Sequence, residues 1–166
     1  QNLKTNNPSQ QQLSSLLEHY QNGRFNDAEK LAITISKDFP NHPFSWKVLG
    51  AVLEKTGRKS EAVDANQTAV TLSPQDSAAH YNLGNTLKEL GRFDEALSSY
   101  TQAIALNPNF AEAHSNLGIT LQELGRLDDA LASHTQGIAL KPDYAEVHIN
   151  FGFTLHDLGK FEEAIQ

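Results

Sequence analysis

Residues Ser77–Phe110 read SAAHYNLGNTLKELGRFDEALSSYTQAIALNPNF, and Ala111–Tyr144 read AEAHSNLGITLQELGRLDDALASHTQGIALKPDY. The two segments agree at 21 of 34 positions without a gap. The same interval runs outward in both directions. Glycines stand at Gly23, Gly57, Gly91, Gly125 and Gly159, prolines at Pro40, Pro74, Pro108 and Pro142, and alanines at Ala28, Ala62, Ala96, Ala130 and Ala164. A fixed period of this length means one supersecondary unit copied in tandem. Such an array offers a long surface instead of a buried catalytic pocket, so its residues point to binding.

Each unit reads as two helices. In the first, His80, Leu83, Gly84, Leu87 and Leu90 recur at helical spacing along one face. Gly91 ends it, where the chain must turn through positive φ. The second carries Phe93, Ala96, Leu97, Tyr100, Ala103 and Ile104, with Asp94 and Glu95 in the first turn, where the helix dipole favours acids. Pro108 follows its end. Nothing reads as a strand. A mid-helix glycine costs ~1 kcal/mol against alanine, yet it recurs at Gly50, Gly84, Gly118 and Gly152. The pattern predicts a close helix crossing, with Gly84 on one helix and Ala96 on the other.

Leu83-Gly84, Gly91, Ala96, Tyr100, Ala103 and Pro108 resemble the signature of the tetratricopeptide repeat (TPR) family, whose period is also 34 residues. Trp46, Leu49, Gly50, Ala62, Ala69 and Pro74 fit the same pattern. The first unit departs from it, since Ser15-Leu16 replace Leu-Gly. The resemblance implies an all-α fold, a right-handed superhelix (α-solenoid) of helix-turn-helix units. The expected organisation is a polar lead-in over 1–8, a divergent unit over 9–42, units over 43–76, 77–110 and 111–144, and a truncated fifth over 145–166.

Composition narrows the function classes. The 166 residues carry a net charge of −7 without clustered Lys and Arg, which argues against nucleic acid or an anionic membrane as the main partner. No apolar run approaches the ~18 residues of a membrane span. There is no cysteine, hence no disulfide framework or thiolate chemistry. That is compatible with any compartment; a cytoplasmic one is the simplest expectation. The absence of methionine and the start at Gln1 suggest a natural N-terminus upstream. Pro8 is expected to open the first helix, capped by Asn7. At the other end, the second helix of unit five, expected from Lys160, stops at Gln166 without the polar cap such arrays carry. The expectation is a fragment of a longer protein or an array continued by another chain, with self-association through that open end.

A candidate binding face emerges from the helical angle of about 100° per residue. Positions 4, 7, 8, 11 and 14 of the unit cluster on the packing side of the first helix; positions 2, 5, 6, 9, 12 and 13 lie opposite. Between the two most similar units positions 2, 5, 9 and 12 all change: Ala78/Glu112, Tyr81/Ser115, Asn85/Ile119 and Lys88/Gln122. A variable face on a constant support is what a recognition surface looks like; neutral drift at exposed positions is the alternative. Position 6 is constant at Asn82, Asn116 and Asn150. A carboxamide both donates and accepts, so stacked asparagines can hold peptide backbone of any sequence. They are similar to the asparagine ladder of TPR arrays that precede O-GlcNAc transferase catalytic domains, which implies peptide binding at these three residues in a concave groove. The alternative is that they bond only neighbouring loops. Val48 and Ser14 hold the slot in the first two units. Around the asparagines lie Tyr81, Asn85, Lys88, Glu112, Ser115, Ile119, Gln122, Glu146, Ile149 and Phe153. Acids outnumber cations there, which favours a partner with basic character. Lys47, Lys55 and Lys88 lack the arginine needed for the dicarboxylate clamp of chaperone-binding TPR domains.

Catalysis and cofactors find no support. His80, His114 and His148 recur at the unit period, but neighbouring helix axes ~8–10 Å apart keep their rings too distant to share a metal whose nitrogen ligands stand at ~2.0–2.1 Å. Trp46 fills the same slot, which reads as packing between helices, and His134 replaces Tyr100 as core lining. No strand supports a phosphate loop. The reading is a non-enzymatic protein-interaction scaffold that binds an extended peptide in the groove. The alternatives are a recruitment array of a larger enzyme, such as a glycosyltransferase, whose catalytic domain lies outside this chain, and a homo-oligomeric assembly module.

Overall fold

A computed structural model describes residues 7–159; the expected lead-in up to residue 6 and the helix expected from Lys160 lie outside the described residues. The described residues form nine helices and no strand: α1 Gln10–Gln21, α2 Phe25–Asp38, α3 Pro43–Lys55, α4 Lys59–Leu72, α5 Ser77–Glu89, α6 Phe93–Leu106, α7 Ala111–Glu123, α8 Leu127–Leu140 and α9 Ala145–Asp157. Two compact units divide the chain, one ending at Thr86 and the other starting at Leu87. In the first, α1 packs on α2 and α3, and α3 packs on α2 and α4. In the second, α7 packs on α6, α8 and α9, and α8 also packs on α9.

The periodic glycines make the turns. Gly23, Gly57, Gly91, Gly125 and Gly159 all have φ between +70° and +81°, a region that costs an L side chain 1–2 kcal/mol or so. At the end of α3 the Gly57 N–H donates to the Glu54 carbonyl and the Arg58 N–H to the Leu53 carbonyl. That double bond pattern satisfies carbonyls the helix would otherwise leave open. The arginine after the glycine then folds back onto an acid in the first turn of the next helix: Arg58 onto Glu61, Arg92 onto Glu95 and Arg126 onto Asp129, with bonds of 2.6–2.9 Å. The first helix starts differently from expectation. Its cap is Ser9, not Asn7 before Pro8: the Ser9 hydroxyl accepts from Gln12 N–H, and the Gln12 side chain accepts from Ser9 N–H. This reciprocal capping box satisfies two N-terminal donors at once.

Two of the mid-helix glycines, Gly50 and Gly118, mark close crossings. A Cβ on Gly50 would overlap the Asn66 carboxamide, and one on Gly118 would overlap the His134 ring. Asn66, Tyr100 and His134 share position 24 of the unit, so the side chain nearest the glycine at Gly50 and Gly118 is the one at position 24. Ala62, Ala96 and Ala130 are fully buried. Asn66 and His134 are buried too. Asn66 donates to the Thr86 hydroxyl at 3.0 Å. Both His134 nitrogens lack a partner, and burial holds the ring's pKa down at about 4 against an ordinary 6.5.

Two outcomes follow from this crossing. Gly118→Ala is expected to lower stability by roughly 1–3 kcal/mol, because His134 must leave its pocket; urea denaturation measures it. The second concerns acid. The unfolded chain protonates His134 near 6.5 but the folded chain only near 4. Between those values the unfolded state binds more protons, so stability falls as pH drops, by up to about 1.4 kcal/mol per pH unit. His134→Tyr, which reproduces the Tyr100 arrangement, should flatten the stability curve across that window, and an unchanged slope would refute the assignment.

Candidate peptide-binding face

The first helix of each repeat presents one face to its neighbours and the other outward. Position 4 illustrates how the inner edge is fixed. Trp46 Nε1 donates to the Pro40 carbonyl at 2.9 Å, and the rings of His80, His114 and His148 reach the carbonyls of Pro74, Pro108 and Pro142 through Nε2 at 2.9, 3.0 and 2.7 Å. A carbonyl only accepts, so each Nε2 carries the proton. The ring thus ties its helix to the preceding proline loop in addition to packing: Trp46 also lies against the core, and the three histidines remain partly exposed. Among the described residues no group of three His, Asp or Glu side chains is placed to hold a metal ion, and no helix is long and apolar enough to cross a membrane.

Several side chains expected on the binding face are committed to the fold. Position 12 reaches across to the next first helix. Glu54 accepts from the Thr86 hydroxyl at 3.0 Å. Gln122 accepts from Thr154 at 3.3 Å and donates to Asp157 at 2.6 Å. Lys88 donates to Asn116 Oδ1 at 3.0 Å. Lys47 is paired with Asp76 at 2.6 Å, and Asp76 also accepts from the N–H groups of Ala78 and Ala79 in the first turn of α5. Partial burial alone would raise the Asp76 pKa; the Lys47 bond and the two N–H groups outweigh it and hold the carboxyl below its ordinary range. Ser115 is a correction: it is buried, and its hydroxyl has no partner. The repeats crowd position 5 where a following first helix lies alongside, and single-unit helical geometry contains no term for that neighbour.

What remains exposed divides between the two units. Tyr81, Asn82 and Asn85 lie half-buried on α5 in the first. In the second, α7 and α9 lie side by side and bring together Glu112, Asn116 and Ile119 with Glu146, Ile149, Asn150 and Phe153. Ile149 and Phe153 are 58% and 59% exposed. The Asn150 amide nitrogen is buried without a partner. Glu112 is bridged to Lys141 at 3.3 Å, and Glu146 accepts from the Tyr144 hydroxyl at 3.1 Å. Sequence reasoning missed one feature, an open pocket of about 230 Å³ on the α1 and α3 face, lined by Gln10, Leu13, Ser14, Leu17 and Phe44. Positions 2, 5, 6 and 9 of the first unit, and position 2 of the second, supply that lining. The register of the binding face applied to the divergent unit would have pointed there.

Models of the tetratricopeptide repeat match residues 16–77, 65–98 and 113–146, and a model of the TPR repeat matches residues 84–125. No curated protein matches. Among solved structures, the chain is similar to MamA (TM-score 0.84, 24% identity, 89% of this chain and 86% of the other). It is also similar to MamA from Desulfovibrio magneticus RS-1, residue 41 to the end (TM-score 0.86, 19% identity, 93% and 87% covered). A third likeness is YrrB, a TPR protein with an unusual peptide-binding site (TM-score 0.82, 22% identity, 95% and 81% covered). At these identities the likeness speaks for the fold.

Asp76→Ala removes both the Lys47 pair and the first-turn acceptor of α5, and is expected to cost about 1–2 kcal/mol at neutral pH. The contribution is present above the ordinary carboxylate pKa and is lost as pH falls through the lower value of the folded chain. Parent and variant should therefore converge in stability in strong acid, which denaturation series at several pH values will reveal.

Proposed function

The chain belongs to the tetratricopeptide repeat family, and we propose that it is a protein-interaction scaffold whose first helices hold an extended peptide segment. The observation that carries this reading is the Asn150 amide nitrogen, buried without a partner beside exposed Ile149 and Phe153. An unmatched buried donor costs about 1–3 kcal/mol, and a peptide carbonyl supplies the acceptor. The adjacent apolar side chains lose water when a ligand covers them. Asn82 and Asn116 stand at the same position of their repeats. The Asn116 oxygen accepts from Lys88, and Ile119, Lys88, Glu112 and Glu146 border the contact. Tyr81 and Asn85 flank Asn82 on α5 in the other unit, whereas Ser115 and Gln122 serve the fold. YrrB, with a peptide-binding site on a similar architecture, lends the reading support.

Peptide display against the intact chain and an Asn82→Ala, Asn116→Ala, Asn150→Ala variant of equal helicity tests it. Peptides captured by the parent should bind the variant about tenfold more weakly or not at all, as the loss of one or two net hydrogen bonds implies. Equal capture by both proteins would refute the asparagine contact.

A further inference from the structure

We propose that the face shared by α7 and α9 recognises an extended segment in which an apolar residue is flanked by lysine or arginine. The proposal rests on the peptide-binding reading above and gives that peptide its chemistry. Residues three and four apart share one helix face. On α7 this yields the stripe Glu112, Asn116, Ile119, Glu123, and on α9 the stripe Glu146, Asn150, Phe153, Asp157. Each runs acid, carboxamide, apolar, acid, and the two helices lie side by side in one unit. The result is an apolar band, widened by Ile149, with carboxylates along both margins.

The band is unpartnered. Ile149 and Phe153, one helical turn apart, are the most exposed of the large hydrophobic residues described. The margins are short of cations. Lys141 is taken by Glu112 and stands 5.0 Å from the centre of the Tyr144 ring. Among the described residues, no lysine or arginine pairs with Glu123, Glu146 or Asp157; Glu146 meets the Tyr144 hydroxyl, and Asp157 meets Gln122 and His156.

Charge complementarity selects the occupant. Carboxylates of one sign beside a low-dielectric apolar strip raise the local concentration of cationic partners and repel anionic ones. In an extended segment successive side chains point to opposite sides, so one residue descends on Ile119 and Phe153 while its neighbours reach the margins. A second copy of this chain fits less well. Its net charge is −7, and its other open apolar surface, lined by Gln10, Leu13, Ser14, Leu17 and Phe44, brings no lysine or arginine to the carboxylates.

The test uses fluorescently labelled synthetic peptides carrying Leu between two Lys, Leu between two Glu, or Ser between two Lys. Anisotropy titrations at low and high salt compare the intact chain with two variants of checked helicity: Glu123→Gln, Glu146→Gln, Asp157→Asn, and Ile149→Ala, Phe153→Ala. The Lys-Leu-Lys peptide should bind best. The neutralised variant should bind it about tenfold more weakly and lose most of the salt dependence. The Ile149→Ala, Phe153→Ala variant should weaken binding at both salt concentrations and leave the salt slope unchanged. Equal binding of the Lys and Glu peptides, or full affinity in the neutralised variant, overturns the proposal. If such charge-blind binding is still lost on Asn116→Ala, Asn150→Ala, the broader peptide reading survives. Absence of binding by every peptide defeats both. Sedimentation showing self-association abolished by Phe153→Ala would assign the face to a second copy and also overturn the proposal.

Discussion

The contact between a bare glycine on the first helix of a repeat and the position-24 side chain on the second is the constraint on which the fold depends. At Gly50 and Gly118 no Cβ fits, because Asn66 and His134 already occupy its place. The glycine forgoes ~1 kcal/mol of helix propensity, which the close packing of two helices more than offsets, since each buried side chain makes dozens of dispersion contacts. The slot is selective for shape and lenient in chemistry. It holds an amide at Asn66, a phenol at Tyr100 and an imidazole at His134, all buried. Asn66 recovers part of its desolvation cost through Thr86, whose hydroxyl also reaches Glu54. His134 recovers none by hydrogen bonding and remains neutral instead.

Much of this was legible in the sequence, because a period of 34 residues leaves few architectures open. Helix number, turn positions and the left-handed glycines could be read from spacing alone. The misreading on the binding face has one physical source: contacts made between repeats, which a single unit's helical wheel does not contain. Ser115 faced outward on the wheel and is covered in the array. The position-4 rings read as packing, and the wheel did not show that their nitrogens also find a proline carbonyl six residues earlier. At the N-terminus Asn7 was read as the cap, whereas the capping box of Ser9 with Gln12 satisfies two donors at once.

The candidate site follows from the same accounting. Folding uses position 8 for the crossing, position 4 for the loop and position 12 for the bridge to the next first helix. Position 10 belongs to the interior, where Thr86, Thr120 and Thr154 are buried and return a hydroxyl to the carbonyls of Asn82, Asn116 and Asn150. Those backbone bonds anchor the turn that carries each asparagine, so its amide is presented from a rigid helix instead of a loop. A polar group held this way loses little entropy when it binds. Positions 2, 6, 9 and 13 of α7 and α9, with position 5 on α9 alone, supply the carboxylates, the amides and the apolar band. The residues free to vary without disturbing the stack are therefore the ones able to choose a ligand, and the glycine crossing is what keeps those two sets of residues apart.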